Sequence, residues 1–599
     1  MGATLAGQTV EALAVAVEHL PLFSIGLNCS TGPTFMTDHV RALSAIAKTR
    51  VTCVPNAGLP DENGDYNESP EAMARVLARF AENGWLNAVG GCCGTTPAHI
   101  AAFAEVASSY TPREAADYAR TQVSGLDLLT VEEDGRPYFV GERTNVLGSR
   151  KFRRLIERGK YDEAAEIARR QVRGGAHVID VCLQDPDRDE AEDVRQFFDR
   201  LVRKVKLPIM VDSTDATVIE QALKYCQGKA IINSINLEDG EERFERVVPL
   251  AQAYGAALVV GVIDEDPEQG MGVTVERKVA IAERSYGLLT GKYGVAEEDI
   301  IWDPLVFPVG TGDATYMDAG RQTVEGVRAL KARYPNTQTV LGISNVSFGL
   351  PPAGREVLNS VFLYHCTRAG LDLAIVNTER LERYASIPDD ERALAERLLF
   401  DNSDAAIQTF ADHFRDRKAA ATTDEWADLT LDERLSRYIV EGTRDGLAGD
   451  LDGALADRAP LDIVNGPLMA GMDEVGRLFN ANELIVAEVL QSAEAMKAAV
   501  AHLEPHMDSA SVQERGTVLL ATVKGDVHDI GKNLVDIILT NNGYRVVNLG
   551  IKIPPETLIQ AHDEHAPHII GLSGLLVKSA QQMVTTAEDL AARGVNTPV

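Results

Sequence analysis

Three cysteines stand at the ends of predicted strands within the first hundred residues. Cys29 follows the apolar run LFSIGLN, and Cys92 and Cys93 follow LNAVGG. Active sites of β/α barrels form at the carboxyl ends of the strands, so the three thiols are expected to converge. Three thiolates leave one position of a tetrahedral zinc shell open, and a substrate thiol could fill it. The alternative, small buried hydrophobic residues, is the interpretation we favour only for Cys53.

A second set of polar side chains closes eight successive apolar runs. These carboxylates and amides are Glu142, Asp180, Asp212, Asn233, Asp264, Asp303, Asn345 and Asn377. Any one of them could be a turn former, but together they predict an acidic, amide-rich barrel mouth. Such a mouth suits a neutral or guanidine-like heterocycle, whose N–H groups donate to carboxylates and whose carbonyl accepts from amides. A pterin has these groups, and so have purine-like rings.

The run Asp526-Val527-His528-Asp529-Ile530-Gly531 is placed in a loop between a buried strand and a helix. Open α/β sheets bind ligands at such loops. A histidine here can ligate a metal while a nearby carboxylate accepts from its other ring nitrogen. Ser573 and Ser579, in GLSGLLVKS, could extend this hydrogen-bond chain, bind a nucleotide tail or simply form turns.

A helical stretch precedes that segment. Phe479, Val486 and Val489 fall at helix-compatible spacing around RLFNANELIVAEV. Because a bundle next to a cofactor-binding domain can cover the reactive face of the cofactor, we predict this role for the three side chains; a plain spacer is the alternative.

The elements that position these residues alternate strand and helix in most of the chain. We predict an α/β multidomain protein with a partial (β/α)8 barrel, a complete (β/α)8 barrel, a helical bundle cap and a Rossmann-like domain. The predicted boundaries are 1–118, a linker at 119–136, 137–392, connecting helices at 393–430, 431–505 and 506–599. Three strand-helix units cannot close a barrel, so the chain is expected to begin inside one domain and to end inside another.

Composition limits the possible partners. With 58 Lys+Arg against 89 Asp+Glu, the net charge of -31 would repel nucleic acid and anionic lipid. No apolar run approaches the roughly 20 residues that cross a bilayer, and no signal peptide is recognisable. Seven cysteines, an odd number, favour reduced thiols and a cytoplasmic location.

The motifs GLNCS, PNAG, GGCCGTTP, GERTN, VDST, INSIN, WDPL, GISNVSFGLP, GMDEVGRLF, DVHDIGKN and GLSGLL occur in this order. Together they resemble the cobalamin-dependent methionine synthase family over essentially the whole chain. The resemblance implies methyl transfer from 5-methyltetrahydrofolate to homocysteine, giving methionine and tetrahydrofolate, with cobalt cycling between Co(I) and methyl-Co(III). It implies cobalamin (methylcobalamin) and Zn2+ as cofactors, a pterin-binding central barrel, and a reductive reactivation partner.

Carried over to this chain, the resemblance assigns zinc to Cys29, Cys92 and Cys93 and the lower cobalt ligand to His528, with Asp526 and Ser579 as its proton relay. The resemblance also implies that Gly531 and Ser573 belong to the same cobalamin site. It further assigns methyltetrahydrofolate to Asp212, Asn233, Asp303 and Asn345, with Asn345 near N5, and to Glu142, Asn145 and Arg355.

Two departures and two rivals accompany this interpretation. Early strands of the first barrel and the S-adenosylmethionine-dependent reactivation domain are not recognised, and ELIVAEV lacks the Pro expected after Val486. One rival is a methyltetrahydrofolate:corrinoid methyltransferase fused to its corrinoid carrier, with structural cysteines. The other is a cobalamin-binding carrier or sensor without enzymatic activity.

Overall fold

The computed structural model describes residues 3–415, 426, 429–480, 484, 486–506, 516–526, 529–541, 544–575 and 577–599. Within these, the side chains of residues 314, 480, 486, 487, 490, 530, 534, 537, 538, 541, 577 and 578 are not described.

The first segment is a small parallel sheet covered by helices. Its strands are β1 (Ser24–Asn28), β2 (Arg50–Val54) and β3 (Ala88–Val89), in the order β1-β2-β3. Its helices are α1 (Val10–Val17), α2 (Thr37–Ile46), α3 (Pro70–Glu82) and α4 (Pro97–Ser109). Buried apolar residues of the sheet and helices form one core, in which Cys53 is completely buried, as predicted.

A short antiparallel hairpin, β4 (Gln122–Ser124) and β5 (Leu128–Thr130), follows. The sequence indicated only a polar connection here. Val123 is completely buried and belongs to the same cluster as Val178, Met210 and Ile231 inside the barrel. The hairpin therefore closes the amino-terminal end of the barrel, and burial of its apolar side chains explains why it is ordered.

Eight parallel strands close the central barrel. They are β6 (Tyr138–Asn145), β7 (Val178–Cys182), β8 (Ile209–Asp212), β9 (Ile231–Leu237), β10 (Ala257–Asp264), β11 (Ile300–Asp303), β12 (Gln338–Gly342) and β13 (Leu373–Val376), and β13 pairs with β6. The surrounding helices are α5 (Arg150–Glu157), α6 (Tyr161–Arg173), α7 (Glu190–Leu201), α8 (Ala216–Leu223), α9 (Glu242–Tyr254), α10 (Val275–Tyr286), α11 (Ala319–Arg333) and α12 (Pro352–Ala369). All eight predicted strands are present.

Helices then replace strands. They are α13 (Asp389–Phe400), α14 (Asp404–Phe414), α15 (Leu431–Glu441), α16 (Leu447–Leu455), α17 (Pro460–Ile463), α18 (Met469–Asn480) and α19 (Val486–Leu503). Arg383, which follows the barrel, reaches into this bundle and donates to the Glu488 carbonyl at 2.5 Å and to Ser492 Oγ at 2.6 Å. The bundle is thereby joined to the barrel by a buried guanidinium.

The last segment has a three-stranded parallel sheet in the order β15-β14-β16. Its elements are β14 (Thr517–Thr522), α20 (Ile530–Asn541), β15 (Arg545–Asn548), α21 (Pro555–His565), β16 (Ile569–Ser573) and α22 (Val577–Ala592). β14 lies between β15 and β16, which both follow it in sequence, so the two connections leave β14 toward opposite sides of the sheet. Parallel sheets bind ligands at the carboxyl end of the strands at such a point. The predicted α/β multidomain fold is confirmed.

Ion pairs join the last segment to the first. Lys524 Nζ lies 2.8 Å from a carboxylate oxygen of Glu11 and 2.8 Å from one of Asp38. The Asp38 backbone N–H also donates to Glu556 Oε1 at 2.8 Å. Among the described helices, none is long and apolar enough to cross a membrane.

Candidate functional site

The three cysteines of the first segment converge at the carboxyl end of its sheet. Cys29 Sγ lies 3.8 Å from Cys93 Sγ, which lies 3.9 Å from Cys92 Sγ, and all three sulfurs are within 4.8 Å of one another. We call this group the thiol site. It contains the one group of three or more potential metal ligands found among the described residues.

Main-chain hydrogen bonds between three loops hold the thiol site. The Cys29 N–H donates to the Val54 carbonyl and the Cys92 N–H to the Pro55 carbonyl, both at 2.9 Å. Cys29 itself is left-handed, with φ 66°, an uncommon backbone conformation for a residue other than glycine. The loops that follow β1 and β3 are therefore fixed to the loop that follows β2.

The spacing of the sulfurs fits a zinc ion. Tetrahedral coordination with Zn–S bonds of about 2.3 Å separates sulfurs by about 3.8 Å. A hydrogen bond from the Ser30 backbone lowers the pKa of Cys29, with help from the neighbouring thiols, whereas the hydrogen bond with Cys29 raises the pKa of Cys92. The pKa values of Cys29 and Cys92 are thus shifted in opposite directions.

Two neighbours of the thiol site escaped the sequence prediction. The Tyr66 hydroxyl hydrogen-bonds to Cys93, and the Asn56 side chain hydrogen-bonds to Cys29. Gly94 is left-handed, with φ 78°, and a Cβ there would lie 2.2 Å from Tyr66 Cβ. Only the PNAG and CCG motifs, which place Asn56 and Gly94, marked this neighbourhood in the sequence.

In the central barrel, the predicted polar residues lie at the carboxyl ends of the strands, the region we call the barrel mouth. Asp212 ends β8 and is the register partner of Asn233 on β9 and of Cys182 on β7. Asn145, at the end of β6, donates from Nδ2 to Asp212 Oδ2 at 3.3 Å. Asp212, Asn233 and Asn145 therefore form one polar group on three strands.

A second polar group of the barrel mouth links β6 to the turn after β12. Ser344 Oγ donates to Glu142 Oε2 at 3.1 Å. Arg355 Nε donates to Ser347 Oγ at 3.1 Å, so the guanidinium supports the turn that contains Asn345. Glu142, Asn345 and Arg355 are thereby brought into one neighbourhood.

Burial dominates the electrostatics of the barrel mouth. Desolvation raises the pKa of Asp303 to about 6, and desolvation together with the charge of Glu190 raises that of Asp212 to about 6. Burial and the neighbouring Asp212 raise the pKa of Asp180 strongly, and burial raises that of Glu142. Ionisation of the carboxyl groups in this cluster is thus shifted toward neutral pH.

Two of the eight strand-end residues have local partners instead. Asp264 forms an ion pair with Arg277 of α10, and its exposed fraction is 8%. Asn377 Oδ1 accepts from the Glu379 N–H at 3.3 Å, as a turn former does. For these two the simpler structural role accounts for the residue.

In the last segment, Asp526 and Ser579 meet below the ligand-binding edge of the sheet. Ser579 Oγ donates to Asp526 Oδ2, which also accepts from the Leu575 N–H at 2.7 Å. Both side chains are buried, and a Cβ on Gly574 would lie 2.4 Å from Ser579 Cβ. A buried carboxylate with donors on one side has the form expected behind a metal-binding imidazole.

Of the other residues predicted to contact the cofactor from the helical bundle, the structure describes the side chains of Phe479 and Val489. His528 lies outside the described residues, as does the side chain of Val486, where α19 begins. Phe479 is 42% exposed, whereas Val489 packs against the buried cluster Val475, Leu478 and Leu484.

Two further residues lie near the Asp526 loop. Gly531 has open space where a Cβ would project, and the Ser573 carbonyl accepts from the Val523 N–H at 3.0 Å. Their roles, and those of all the predicted site residues, stay predictions.

Four protein-family models match successive parts of the chain. They are homocysteine S-methyltransferase at residues 1–107, pterin binding enzyme at 141–377, and two B12 binding domains at 431–504 and 516–599. Methionine synthase of Mycobacterium tuberculosis (strain ATCC 25618 / H37Rv) is 43% identical over an alignment of 609 positions, which covers 99% of this chain and 51% of that protein.

The chain is homologous to methionine synthase. Methionine synthase of Mycobacterium leprae (strain TN) is 42% identical over 618 aligned residues, with 99% of this chain and 51% of that protein covered. The chain thus spans about half the length of these methionine synthases.

A solved structure also matches part of the chain. The monomethylamine corrinoid protein of Methanosarcina barkeri is 28% identical, covers 28% of this chain and 79% of its own, and superposes with a TM-score of 0.26.

Proposed function

We propose that this chain transfers the methyl group of 5-methyltetrahydrofolate to homocysteine by way of bound cobalamin, giving methionine and tetrahydrofolate. The observation that carries the proposal is the barrel mouth, where Asp212, Asn233 and Asn145 form one polar group inside a region that matches pterin-binding enzymes. Cobalamin, when bound, supplies the carrier for the methyl group.

The barrel mouth provides the chemistry that a pterin needs. Asp212 and Asp303 would accept from the ring N–H groups, and the Asn233 amide would pair with the neighbouring ring edge. Asn345 would lie beside N5 and hydrogen-bond there, because protonated N5 leaves as a neutral amine rather than as an amide anion. Arg355 fixes the turn that carries Asn345.

The thiol site would hold zinc through Cys29, Cys92 and Cys93. The fourth position is then free for the homocysteine thiol, whose pKa falls on coordination so that the nucleophilic thiolate forms near neutral pH. Tyr66 donates to one of the three sulfurs and helps to orient it.

In the last segment, the buried Asp526–Ser579 pair would hold the ring of His528 and store or release a proton there. Phe479 and Val486 would cover the face of the bound cobalamin that His528 does not contact.

We further propose a cytoplasmic location, because the seven cysteines are all unpaired thiols. We also propose a reductive partner that restores activity.

The decisive experiment is the folate half-reaction. The purified chain should transfer methyl from 5-methyltetrahydrofolate to added cob(I)alamin, followed by absorbance. Asp303→Ala and Asn345→Ala should each slow it by about 100-fold or more, with an unchanged circular dichroism spectrum. Asp134→Ala, which removes an exposed carboxylate just before β6 at the opposite end of the barrel, is the matched control. Full activity of both mouth variants would contradict the proposal.

A further inference from the structure

Lys278 of α10 is completely buried beneath the barrel mouth. Its Nζ donates to the carbonyl oxygens of Gly272, at 2.8 Å, and Pro304, at 2.5 Å. Gly272 lies in the loop that follows β10, and Pro304 directly follows Asp303 at the end of β11. One amine therefore ties two adjacent loops of the barrel mouth together.

The surroundings of Lys278 leave room for its side chain and little else. The Phe307 ring centroid lies 5.3 Å from Nζ, close enough for a cation–π contact. On α11, a Cβ at Gly326 would lie 2.6 Å from the Cδ of Lys278, so the absence of a side chain there lets the lysine pass.

Stability does not explain a lysine at this place. Burying an ammonium group is costly unless a carboxylate pairs with it. Among the described residues, Lys278 Nζ donates to two carbonyl oxygens and forms no ion pair with a carboxylate. Burial lowers the pKa of Lys278 to about 7, against the opposing effect of the Asp303 charge. A methionine would fill the same space without this cost.

The contact to Pro304 bears directly on how Asp303 is presented. The Leu305 N–H donates to Asp303 Oδ1 at 2.9 Å, and Leu305 is left-handed, with φ 65°, which is uncommon for a branched side chain. The Leu305 carbonyl is itself held by Thr323 Oγ1 at 3.1 Å. Lys278 and Thr323 thus fix the turn from two sides.

The same loop reaches the turn that carries Asn345. The Val309 N–H donates to the Val346 carbonyl at 3.0 Å, and the Leu350 side chain lies within 2.6 Å of where a Cβ on Gly310 would be. A shift of the loop after β11 would therefore reach both sides of the barrel mouth.

We propose that Lys278 is a positioning residue for folate: it holds the turn from Asp303 to Leu305 and supplies the positive charge that keeps the Asp303 carboxylate ready to accept from pterin N–H groups. This inference rests on the proposed function of the barrel mouth. Lys278 acts through Asp303 and does not touch the substrate.

The test is the affinity of Lys278→Met for 5-methyltetrahydrofolate, by titration calorimetry on the full chain at pH 6.5 and pH 8.5. We expect the Kd to rise about tenfold at pH 6.5, where the native lysine is charged, and less at pH 8.5, where it is mostly neutral. The folate half-reaction at saturating folate should change by less than about twofold, since the group acts on binding.

Lys229→Met is the matched control. Lys229 is also buried, but it pairs with Glu18 and Asp299 next to the start of β9, at the opposite end of the barrel. It should leave the Kd for folate unchanged at both pH values. If Lys278→Met does not fold, Gly326→Ala replaces it in the test, because the added Cβ displaces the Lys278 stem without removing the amine. A similar loss of affinity for folate is expected in that variant.

The outcomes separate this inference from the proposed function. An unchanged Kd at both pH values, or a pH-independent loss that Lys229→Met shares, overturns the role of Lys278 while the folate proposal stands. If the unaltered chain does not bind 5-methyltetrahydrofolate, the proposed function and this inference both fail.

Discussion

The thiol site and the barrel mouth both lie at the carboxyl ends of parallel strands, yet they are built in different ways. The thiol site stands on an open sheet of three strands, and its sulfurs are held by main-chain hydrogen bonds between loops. The barrel mouth stands on eight closed strands, and its carboxyl groups are held by burial and by each other.

The difference shows in the acid–base chemistry. At the thiol site a backbone hydrogen bond lowers the pKa of Cys29, whereas at the barrel mouth desolvation raises the pKa of Asp303 to about 6. An open site can favour the charged form of a side chain that we propose as a metal ligand. A closed site keeps carboxyl groups at the border of ionisation, ready for a partner that donates hydrogen bonds.

Removal of one sulfur should have the largest effect. It should weaken the thiol site and leave the barrel mouth unchanged. Cys93→Ala is expected to weaken zinc binding by about 100-fold or more, because two thiolates remain where three converged. Metal analysis after dialysis measures this, with Cys226→Ala, a thiol far from the group, as the control. Folate affinity should stay within about twofold. A parallel loss of folate binding would show that the two sites are not independent.

Tyr66→Phe tests how much one side-chain hydrogen bond contributes to the thiol site, beyond the main-chain hydrogen bonds of the loops. The variant keeps the ring that packs over Gly94 but loses the hydrogen bond to Cys93. Zinc affinity should fall by about tenfold, as is usual for a partner of a metal ligand. Competition with a chromogenic chelator measures it, and Tyr110→Phe, on an exposed ring, is the control. Equal affinities would mean that the loops alone set the sulfur positions.

The smallest expected effect concerns stability at the barrel mouth. The pKa of Asp303 is about 6 in the folded chain, above its unfolded value near 4, so ionisation disfavours folding as pH rises through this range. Asp303→Asn should therefore raise the free energy of unfolding by about 1–2 kcal/mol at pH 7.5 and by about half as much at pH 5.

Scanning calorimetry at the two pH values measures this gain, with the exposed Asp187→Asn as the control. A gain that does not depend on pH would contradict the raised pKa of Asp303. The same substitution should weaken folate binding, so that stability and function change in opposite directions at this residue.

The eight barrel strands and most of their polar ends could be predicted because each apolar run ends in a polar residue and a turn. The thiol site could be predicted because vicinal cysteines after glycines are uncommon. The role of Lys278 could not be predicted, because in VERKVAIAERSY it occupies an ordinary helical position. Only the fold shows that Phe307 and Gly326 cover the face of α10 that carries Lys278.

Long-range contacts account for the rest. Tyr66 comes 27 residues before Cys93 in sequence, in a loop with no strand of its own, and nothing local indicates that it meets a sulfur. The hairpin β4–β5 looked like a polar connection because its few apolar side chains are separated by Ser, Gly and Asp. Their burial depends on the barrel end that they close.

The ion pairs that Lys524 forms with Glu11 and Asp38 help to hold the first and last segments together. The Lys524 side chain is 22% exposed and that of Asp38 2%, so their attraction acts largely away from water. Salt screens such a covered pair much less than it screens exposed charges, so the contact between the two segments should depend only weakly on ionic strength.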